Sequence, residues 1–406
     1  MLEVLAQKTF RRLFMAQIVA LIGTGLATVS LGLLAYDIAG GNAALVLGLV
    51  FTIKMVAYVT IAPIAGAYSD RLPRRATLVS LDLVRAGVAL ALPFVSEVWQ
   101  IYLLILALQA ASAAFTPTFQ AVIPDILPDE GEYTRALSLS RMAYDLEAMI
   151  SPILAAAALT LVSYNVLFGG TAIGFLASAL LVGSVILPNV APKPSRPIYE
   201  RTTRGIRRYL VQKELRALLA LCFAVSSAIS MVLVNTVVLV QGDLGLSPRA
   251  VALSLAAFGI GSMTSALLLP RLLERVGDRA VMLPGAALMG ISLLAFAFLS
   301  ATLGPSWGML LLIWALLGMG NSAVMTPSGR LLRRASGPDD RPELYAAQFA
   351  LSHACWLISY PMSGALMTAF GAVATSTILG GLALAALWVA RGIWTETTNV
   401  ATDNNP

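Results

Sequence analysis

Apolar runs of roughly 20 residues recur along the whole sequence, and no other feature restricts the possible folds so strongly. Each run is long enough to cross about 30 Å of hydrocarbon as an α-helix. A helix suits this environment because lipid offers no hydrogen-bond partners to backbone N–H and C=O groups, which a helix pairs with each other. Twelve such runs lie near residues 13–36, 45–68, 76–96, 99–121, 137–161, 166–187, 217–240, 249–271, 280–300, 307–329, 344–369 and 372–393. With 58% hydrophobic and 12% charged residues, the composition also differs from that of soluble globular proteins. The sequence therefore predicts an all-α membrane protein with twelve transmembrane helices.

The positive charges indicate how these helices are oriented. If the N-terminus is cytoplasmic, nearly all of the 27 Lys and Arg residues fall in or beside cytoplasmic segments, as the positive-inside rule requires. The exceptions are Lys54, Arg85, Arg141 and Arg249. We therefore expect both termini in the cytoplasm. The net charge of +6 then reflects topology and anionic lipid, and we expect no nucleic-acid partner.

The two halves of the chain resemble each other in short stretches. DRLPRRATL from Asp70 matches ERVGDRAVM from Glu274, and SAAFTP from Ser112 matches SAVMTP from Ser322. A proline in the fifth run likewise pairs with one in the eleventh. The three pairs follow the same order with offsets of 204, 210 and 209 residues, which favours duplication.

This repeat predicts two pseudo-symmetric six-helix bundles at 1–187 and 217–396. A cytoplasmic linker at 188–216 joins them, and a polar tail follows at 397–406. The linker is rich in Pro at its start and in Arg later. Its second part is either a basic amphipathic helix on the membrane surface or a solvated tether.

The segment GAYSDRLPRR, from Gly66 to Arg75, resembles the signature loop between helices 2 and 3 of the major facilitator superfamily. FTPTFQAVIPDILP from Phe115 and ISP before Ile153 further resemble its bacterial drug and siderophore exporters, the enterobactin-type proton antiporters. The resemblance covers nearly the whole chain. It implies the major facilitator fold in a bacterial inner membrane, with a substrate site near the midplane between the bundles. It also implies a cytoplasmic latch that stabilises the outward-facing state, made of Gly66, Asp70, Arg71 and Arg75.

Several ionisable groups fall inside the predicted spans. At about 1.5 Å of rise per residue, Arg85, Asp145, Glu147 and His353 come out near the middle of the bilayer, and Lys54 lies nearer the outside. An ionised side chain at the centre of a span costs at least about 2.5 kcal/mol. We therefore expect these groups to face the bundle interior or a watery cavity.

The segment SRMAYDLEAMISP concentrates three ionisable groups in the fifth span. Arg141 and Asp145 are four apart and share a helical face, as Asp82 and Arg85 do on the third span at a spacing of three. Either these four residues form ion pairs that fix helix packing, or they serve transport. Glu147 lies on a different face and has no local cation.

A carboxylate in a site of low polarity has a raised proton affinity, and access to each side of the membrane in turn would let it carry a proton. We predict Glu147 first, and Asp145 second, as the proton-coupling residue. His353, the one histidine, either carries protons or packs between helices. Lys54 either snorkels to the outer interface, reaches Asp37 or attracts an anionic substrate group. The predicted central cavity is lined by Gln17, Lys54, Asp82, Arg85, Arg141, Tyr144, Asn235, Asn321 and Trp356.

The favoured interpretation is a proton-coupled exporter of a small amphiphilic compound, such as a drug or siderophore, that works by alternating access. The alternative is an importer or proton-independent facilitator of an anionic organic solute. A lipid-handling membrane enzyme is more remote, because no nucleophile or metal constellation joins the buried acids. The sequence has no phosphate-binding Gly-Lys-Ser/Thr loop and no soft metal cluster, so we expect no cofactor. The expected partners are a small-molecule substrate, protons and the lipid bilayer, with the chain as a monomer.

Overall fold

The computed structural model describes residues 2–68, 72–187, 198–336 and 341–394, and every regular element within these ranges is a helix. In chain order the α-helices are α1 Lys8–Ala39, α2 Ala43–Tyr68, α3 Arg74–Ala91, α4 Val98–Ile126, α5 Glu130–Ala158, α6 Tyr164–Gly183, α7 Ile198–Val211, α8 Lys213–Val237, α9 Pro248–Arg275, α10 Asp278–Leu303, α11 Trp307–Ala335 and α12 Arg341–Ile393. This architecture confirms the predicted all-α membrane fold.

Nine runs of the described helices are long and apolar enough to cross a membrane. Two of them, Lys8–Ala65 and Glu343–Ile393, hold 58 and 51 residues, more than twice the roughly 20 that one crossing needs. The first joins α1 to α2. The second belongs to α12, which Gly371, with a φ of 74°, divides into a first and a second arm. α5, whose span carries three ionisable groups, is not among the nine, so the predicted count of twelve crossings is supported only in part.

The helices pack as two groups that contact each other. In the first group, α1 lies against α5 and α6, while α4 lies against α2 and α3. In the second group, α8 and α10 lie against α12, while α9 and α10 lie against α11. Contacts of α2 with α12 and of α5 with α9 join the two groups. The start of the predicted linker, 188–197, and the predicted tail at 397–406 lie outside the described residues.

The second part of the linker is the helix α7, which docks on α8 and α12. A Cβ on Gly205 would lie 2.5 Å from the carbonyl oxygen of Glu343, so only glycine allows the two backbones to approach this closely. Arg204 pairs with the Glu343 carboxylate at 3.6 Å, and the buried Tyr209 donates a hydrogen bond to Gln348. The structure thus shows a helix here and not a tether, and its position on the membrane surface stays a prediction.

A close seam joins α2 to the first arm of α12. A Cβ on Gly48 would lie 2.7 Å from the carbonyl oxygen of Tyr360, and one on Gly364 would collide with the carbonyl oxygen of Ala44. Phe51 stacks on Tyr360 with ring centroids 5.0 Å apart. Because these residues lie towards the helix ends predicted to be extracellular, the seam holds the two groups together on that side.

Matching ion pairs join helix ends in the two groups. Arg74 at the start of α3 pairs with Asp125 near the end of α4. In the second group, Asp278 at the start of α10 pairs with Arg334 near the end of α11, at 3.0 Å. Asp278 follows Arg74 by 204 residues, the offset of the repeat at this loop, whereas Arg334 lies one residue before Ala335, the counterpart of Asp125 at the offset of 210 between SAAFTP and SAVMTP. The two repeats therefore join equivalent helix ends with exchanged charges, at positions that agree to within one residue.

Candidate functional site

The first group of helices encloses a cavity of about 180 Å³, lined by residues from the segment between α1 and α6. Its polar and charged lining residues are Gln17, Thr24, Thr28, Lys54, Tyr58, Arg85, Gln109, Ser112, Thr116 and Glu147. The other lining residues are apolar or aromatic. An apolar wall with a limited number of polar groups is typical of small-molecule sites.

Glu147 reaches this cavity at a level where α5 packs closely on α1. A Cβ on Gly25 of α1 would lie 2.5 Å from Oε1 of Glu147 and would overlap the side chain of Ser151. The glycine therefore provides the space that the carboxylate occupies. Among the residues that the structure describes, none donates a hydrogen bond to Glu147 or forms a close ion pair with it.

Lys54 lines the same cavity from α2, and its charge is close enough to attract that of Glu147. Asp37 instead accepts a hydrogen bond of 2.6 Å from the hydroxyl of Tyr164. In this structure Lys54 therefore lines the cavity, while the described partner of Asp37 is Tyr164. The sequence showed no local cation for Glu147 because Lys54 comes from a different helix.

Arg85 also lines the cavity, but its charge is held by Asp82 three residues earlier in a buried ion pair. Ser178 of α6 donates a hydrogen bond of 2.7 Å to the other oxygen of Asp82. The guanidinium carbon of Arg85 lies 4.1 Å from the ring centre of Phe115 on α4. The local pair predicted from the spacing of three is present, and it ties α3 to both neighbouring helices.

His353 lies at the inner end of the seam between α2 and α12. Its ring stacks on Tyr58 with centroids 5.9 Å apart and an interplanar angle of 11°. Its Nδ1 lies 2.7 Å from the carbonyl oxygen of Phe349. Tyr58 lines the cavity, so one aromatic ring separates His353 from it. This position is compatible with both roles predicted for His353.

Three predicted cavity residues of the second half lie elsewhere. Asn235 is buried on α8 and donates a hydrogen bond of 2.9 Å to Ser363. Trp356 packs on Tyr360 with ring centroids 4.9 Å apart. Asn321 lines a separate pocket of about 50 Å³ between α9 and α11. The structure therefore does not bring these three residues together with Glu147.

Other predicted site residues are only partly described. Outside the described part of the structure lie Asp70, Arg71 and the side chains of Arg141, Tyr144 and Asp145. Gly66 belongs to the last turns of α2. Arg75 donates a hydrogen bond to the carbonyl oxygen of Gly183 at the end of α6, which is a contact inside the first group.

Sequence reasoning missed six polar residues of the cavity, namely Thr24, Thr28, Tyr58, Gln109, Ser112 and Thr116. A signal for part of this set was present on α1, where Gln17, Thr24 and Thr28 share one helical face at spacings of seven and four. Thr28 donates to the carbonyl oxygen of Thr24 at 3.0 Å. Because such bonds satisfy a hydroxyl within its own helix, threonine in an apolar span is a weak sign of a cavity.

A second concavity, of about 250 Å³, lies between α1 and α5, and Glu147 lines it too. The other lining residues are apolar, and they are Leu5, Phe14, Ile18, Leu21, Ile22, Leu139, Met142, Ala143, Leu146 and Ile150. We call this surface the α1–α5 groove. The Glu147 carboxylate therefore lies where a polar cavity meets an apolar groove.

Comparisons with known proteins agree with this architecture. The family model described as Major Facilitator Superfamily matches residues 13–241 and 217–405. Macrolide efflux protein A of Streptococcus pyogenes is 22% identical over 189 residues, which cover 45% of this chain and 46% of that protein. The chain thus spans less than half the length of that relative. The uncharacterized MFS-type transporter YvqJ of Bacillus subtilis (strain 168) is 23% identical over 379 residues, covering 90% of this chain and 86% of that one.

Solved transporter structures share the fold. A crystal structure of the nucleoside transporter NupG has a TM-score of 0.73 at 14% identity and covers 96% of this chain and 100% of its own. A bacterial homolog of the human lysosomal transporter Spinster, in an inward-facing and occupied conformation, has a TM-score of 0.74 at 12% identity. The match covers 95% of this chain and 96% of that one. With the family model matched over both halves, these findings show that the chain belongs to the Major Facilitator Superfamily of membrane transporters.

Proposed function

We propose that this transporter is a proton-coupled exporter of a small amphiphilic compound and that Glu147 is its proton carrier. One observation carries the proposal. The Glu147 carboxylate lies between the polar cavity and the apolar α1–α5 groove, with no hydrogen-bond donor or close ion-pair partner among the described residues. A ligand with an apolar body and one cationic group fits these two surfaces together.

The coupling follows from the cost of an ionised acid at this depth. An ionised acid within a span is costly and Lys54 forms no close ion pair with Glu147, so the carboxylate is neutralised by a proton or by the cationic group of a substrate. The two compete for one site. If the substrate leaves on the outside and a proton takes its place, return of the site to the inside releases that proton and completes one antiport cycle.

The direction of transport is supported by the relatives. The name of macrolide efflux protein A describes export, and that protein matches 45% of this chain. Alternating access requires that the seam between α2 and α12 opens so that the cavity reaches the outside. The contacts of Gly48 and Gly364 make this seam narrow, so a small separation there would change access to the cavity.

The rival function, a facilitator of an anionic solute, rests on Lys54. Arg85 contributes little to such a site because Asp82 holds its charge. Lys54 lines the cavity and forms no close ion pair among the described residues, so it remains as a cation for an anionic substrate.

The test uses the purified protein in liposomes with an imposed pH gradient. The probes are erythromycin as a macrolide amine, ethidium as an organic cation and fluorescein as an organic anion. We expect at least one of the first two probes to discharge the gradient. Glu147→Gln should reduce this discharge to the level of protein-free liposomes, because the amide cannot carry a proton.

The matched control is Glu132→Gln, which removes a carboxylate near the start of the same helix, outside the cavity. It should discharge the gradient as the unaltered protein does. Discharge that survives Glu147→Gln would refute the assignment of Glu147. Transport of fluorescein without proton movement, lost in Lys54→Gln, would refute the exporter and establish the rival.

A further inference from the structure

A groove opens on the surface of the second group of helices, between the start of α10 and the end of the second arm of α12. Its volume is about 640 Å³, and it is separate from the cavity that contains Glu147. Two arginines line it, Arg279 on α10 and Arg391 on α12. The rest of its lining is largely apolar and includes Pro284, Ala287 and Leu387. We call this surface the α10–α12 groove.

The charged and apolar parts of the groove lie at different depths. Arg279 is in the first turn of α10 and Arg391 in the last turn of α12, both at helix ends predicted to be cytoplasmic. Ala287 lies eight residues further along α10, which is about 12 Å deeper into the membrane. Leu387 lies one turn before Arg391, about 6 Å deeper. The groove therefore has a cationic rim and an apolar floor.

The shape of the groove follows from small side chains on one face of α10. Ala280, Pro284 and Ala287 are spaced by four and three residues, so they stand above one another on the helix. None of them fills the space towards α12. Leu283 and Leu387 form the remaining walls, so the floor offers only apolar contact below the rim.

A tryptophan places the rim at the membrane surface. Trp388 stands next to Leu387 and has 78% of its side chain exposed. Exposed tryptophans of membrane proteins concentrate at the level of the lipid headgroups. Arg391 follows by three residues, so its guanidinium lies within reach of the same layer.

We propose that the α10–α12 groove binds an anionic phospholipid of the cytoplasmic leaflet. The phosphate lies between Arg279 and Arg391, and one acyl chain follows the floor past Pro284 to Ala287. Guanidinium groups bind phosphate oxygens through short charge-assisted hydrogen bonds, and basic pockets between transmembrane helices on the cytoplasmic side suit anionic headgroups. A soluble phosphate would satisfy the rim alone and leave the apolar floor uncovered.

The bound lipid would join two helices at a point where the chain already carries a charge cluster. Asp278, the neighbour of Arg279, pairs with Arg334 and with Arg330 of α11 at 3.0 and 3.4 Å. A lipid held by Arg279 and Arg391 would extend this cluster from α11 through α10 to α12. It would therefore stabilise the cytoplasmic end of the second group, whatever substrate the transporter moves.

The test measures lipid retention by native mass spectrometry of the full chain, with thermal unfolding as a second readout. Detergent-purified protein is titrated with phosphatidylglycerol, phosphatidylcholine and glycerol 3-phosphate, the last as a headgroup without chains. We expect phosphatidylglycerol alone to be retained and to raise the unfolding temperature. Arg279→Gln with Arg391→Gln should weaken this binding about 30-fold, or about 2 kcal/mol for two arginines at a membrane surface.

Two further variants keep the test decisive. Arg271→Gln with Arg275→Gln removes the same charge from exposed positions of α9 outside the groove and should leave retention unchanged. Ala287→Phe fills the floor, keeps both arginines and should weaken binding. Equal retention of phosphatidylcholine, equal effects of glycerol 3-phosphate, or equal losses in the α9 control would each overturn the proposal.

Discussion

Gly25 is the residue on which the position of Glu147 depends. It lies on α1 where α5 comes closest, and any side chain there would meet Ser151 and the Glu147 carboxylate. The Ser151 side chain and the Glu147 carboxylate therefore share the space that a methyl group on Gly25 would need. The sequence of one helix alone does not predict the contact between Gly25 and Glu147, because the packing of α1 on α5 brings them together.

We expect Gly25→Ala to destabilise the protein. Its Cβ would overlap Ser151, and overpacking of this kind lowers the free energy of unfolding by about 1–3 kcal/mol. Displacement of Glu147 should also reduce discharge of the pH gradient. Thermal unfolding in detergent and the liposome assay measure the two effects.

Gly32→Ala is the matched control, because nothing lies within 4 Å of a Cβ at that position of the same helix. It should raise stability slightly, by about 0.5–1 kcal/mol, as alanine is the better helix former. Equal behaviour of the two variants would show that α1 and α5 do not pack as described.

At the scale of elements, the two repeats hold equivalent helix ends together with exchanged charges. Arg74 and Asp125 join α3 to α4, and Asp278 and Arg334 join α10 to α11. The second repeat shows that this junction of helix ends accepts an acid on the first helix and an arginine on the second. The presence of an ion pair therefore matters more at this junction than which of the two helices carries the acid.

This exchange predicts the outcome of a double-mutant cycle. Arg74→Asp and Asp125→Arg should each destabilise the protein, because each brings like charges together at the ends of α3 and α4. The double variant should recover stability, with a coupling energy of about 0.5–3 kcal/mol between the two sites. Thermal unfolding of all four proteins gives this energy, and additive losses would contradict the proposed equivalence of the repeats.

At the scale of the whole molecule, α2 and α12 pack closely along one seam, and we propose that this seam controls access to the cavity from the outside. The seam runs from Gly48 and Gly364 to the stacked rings of Tyr58 and His353. Two glycines allow backbones of different halves to touch at its outer end. A side chain at either position would force the halves apart there.

We therefore expect Gly364→Val to open the cavity to the outside. An overpacking cost of about 1–3 kcal/mol in the closed seam shifts the ratio of closed to open protein by about 5- to 150-fold. The readout is the labelling of a cysteine introduced by Val50→Cys, at a position that lines the cavity beside the seam. The background carries Cys222→Ala and Cys355→Ala, which remove the two native cysteines. A membrane-impermeant thiol reagent added outside intact cells should label it faster.

Gly381→Val on the second arm of α12 is the control, since nothing lies within 4 Å of a Cβ there. It should leave the labelling rate unchanged. If Gly364→Val leaves the labelling rate of Val50→Cys unchanged, this seam does not control access to the cavity from the outside.

Local sequence was enough to determine the helices and their place in a membrane, because the length and apolarity of a run decide both. It also revealed the pair of Asp82 and Arg85, since residues three apart in a helix are neighbours. The internal repeat anticipated equivalent positions in the two halves. The family signature that begins at Gly66 is likewise a short contiguous segment, so it is recognisable without knowledge of how the helices pack.

Only the tertiary structure decided which groups from different helices meet. Lys54 lies 93 residues before Glu147, and no periodicity within either helix indicates that both line one cavity. Asn235 and Trp356 looked similar to cavity residues in sequence, but they pack between α8 and α12 or on Tyr360. Helix position and burial depth follow from a short segment, whereas the direction in which a side chain points follows from the packing of distant segments against each other.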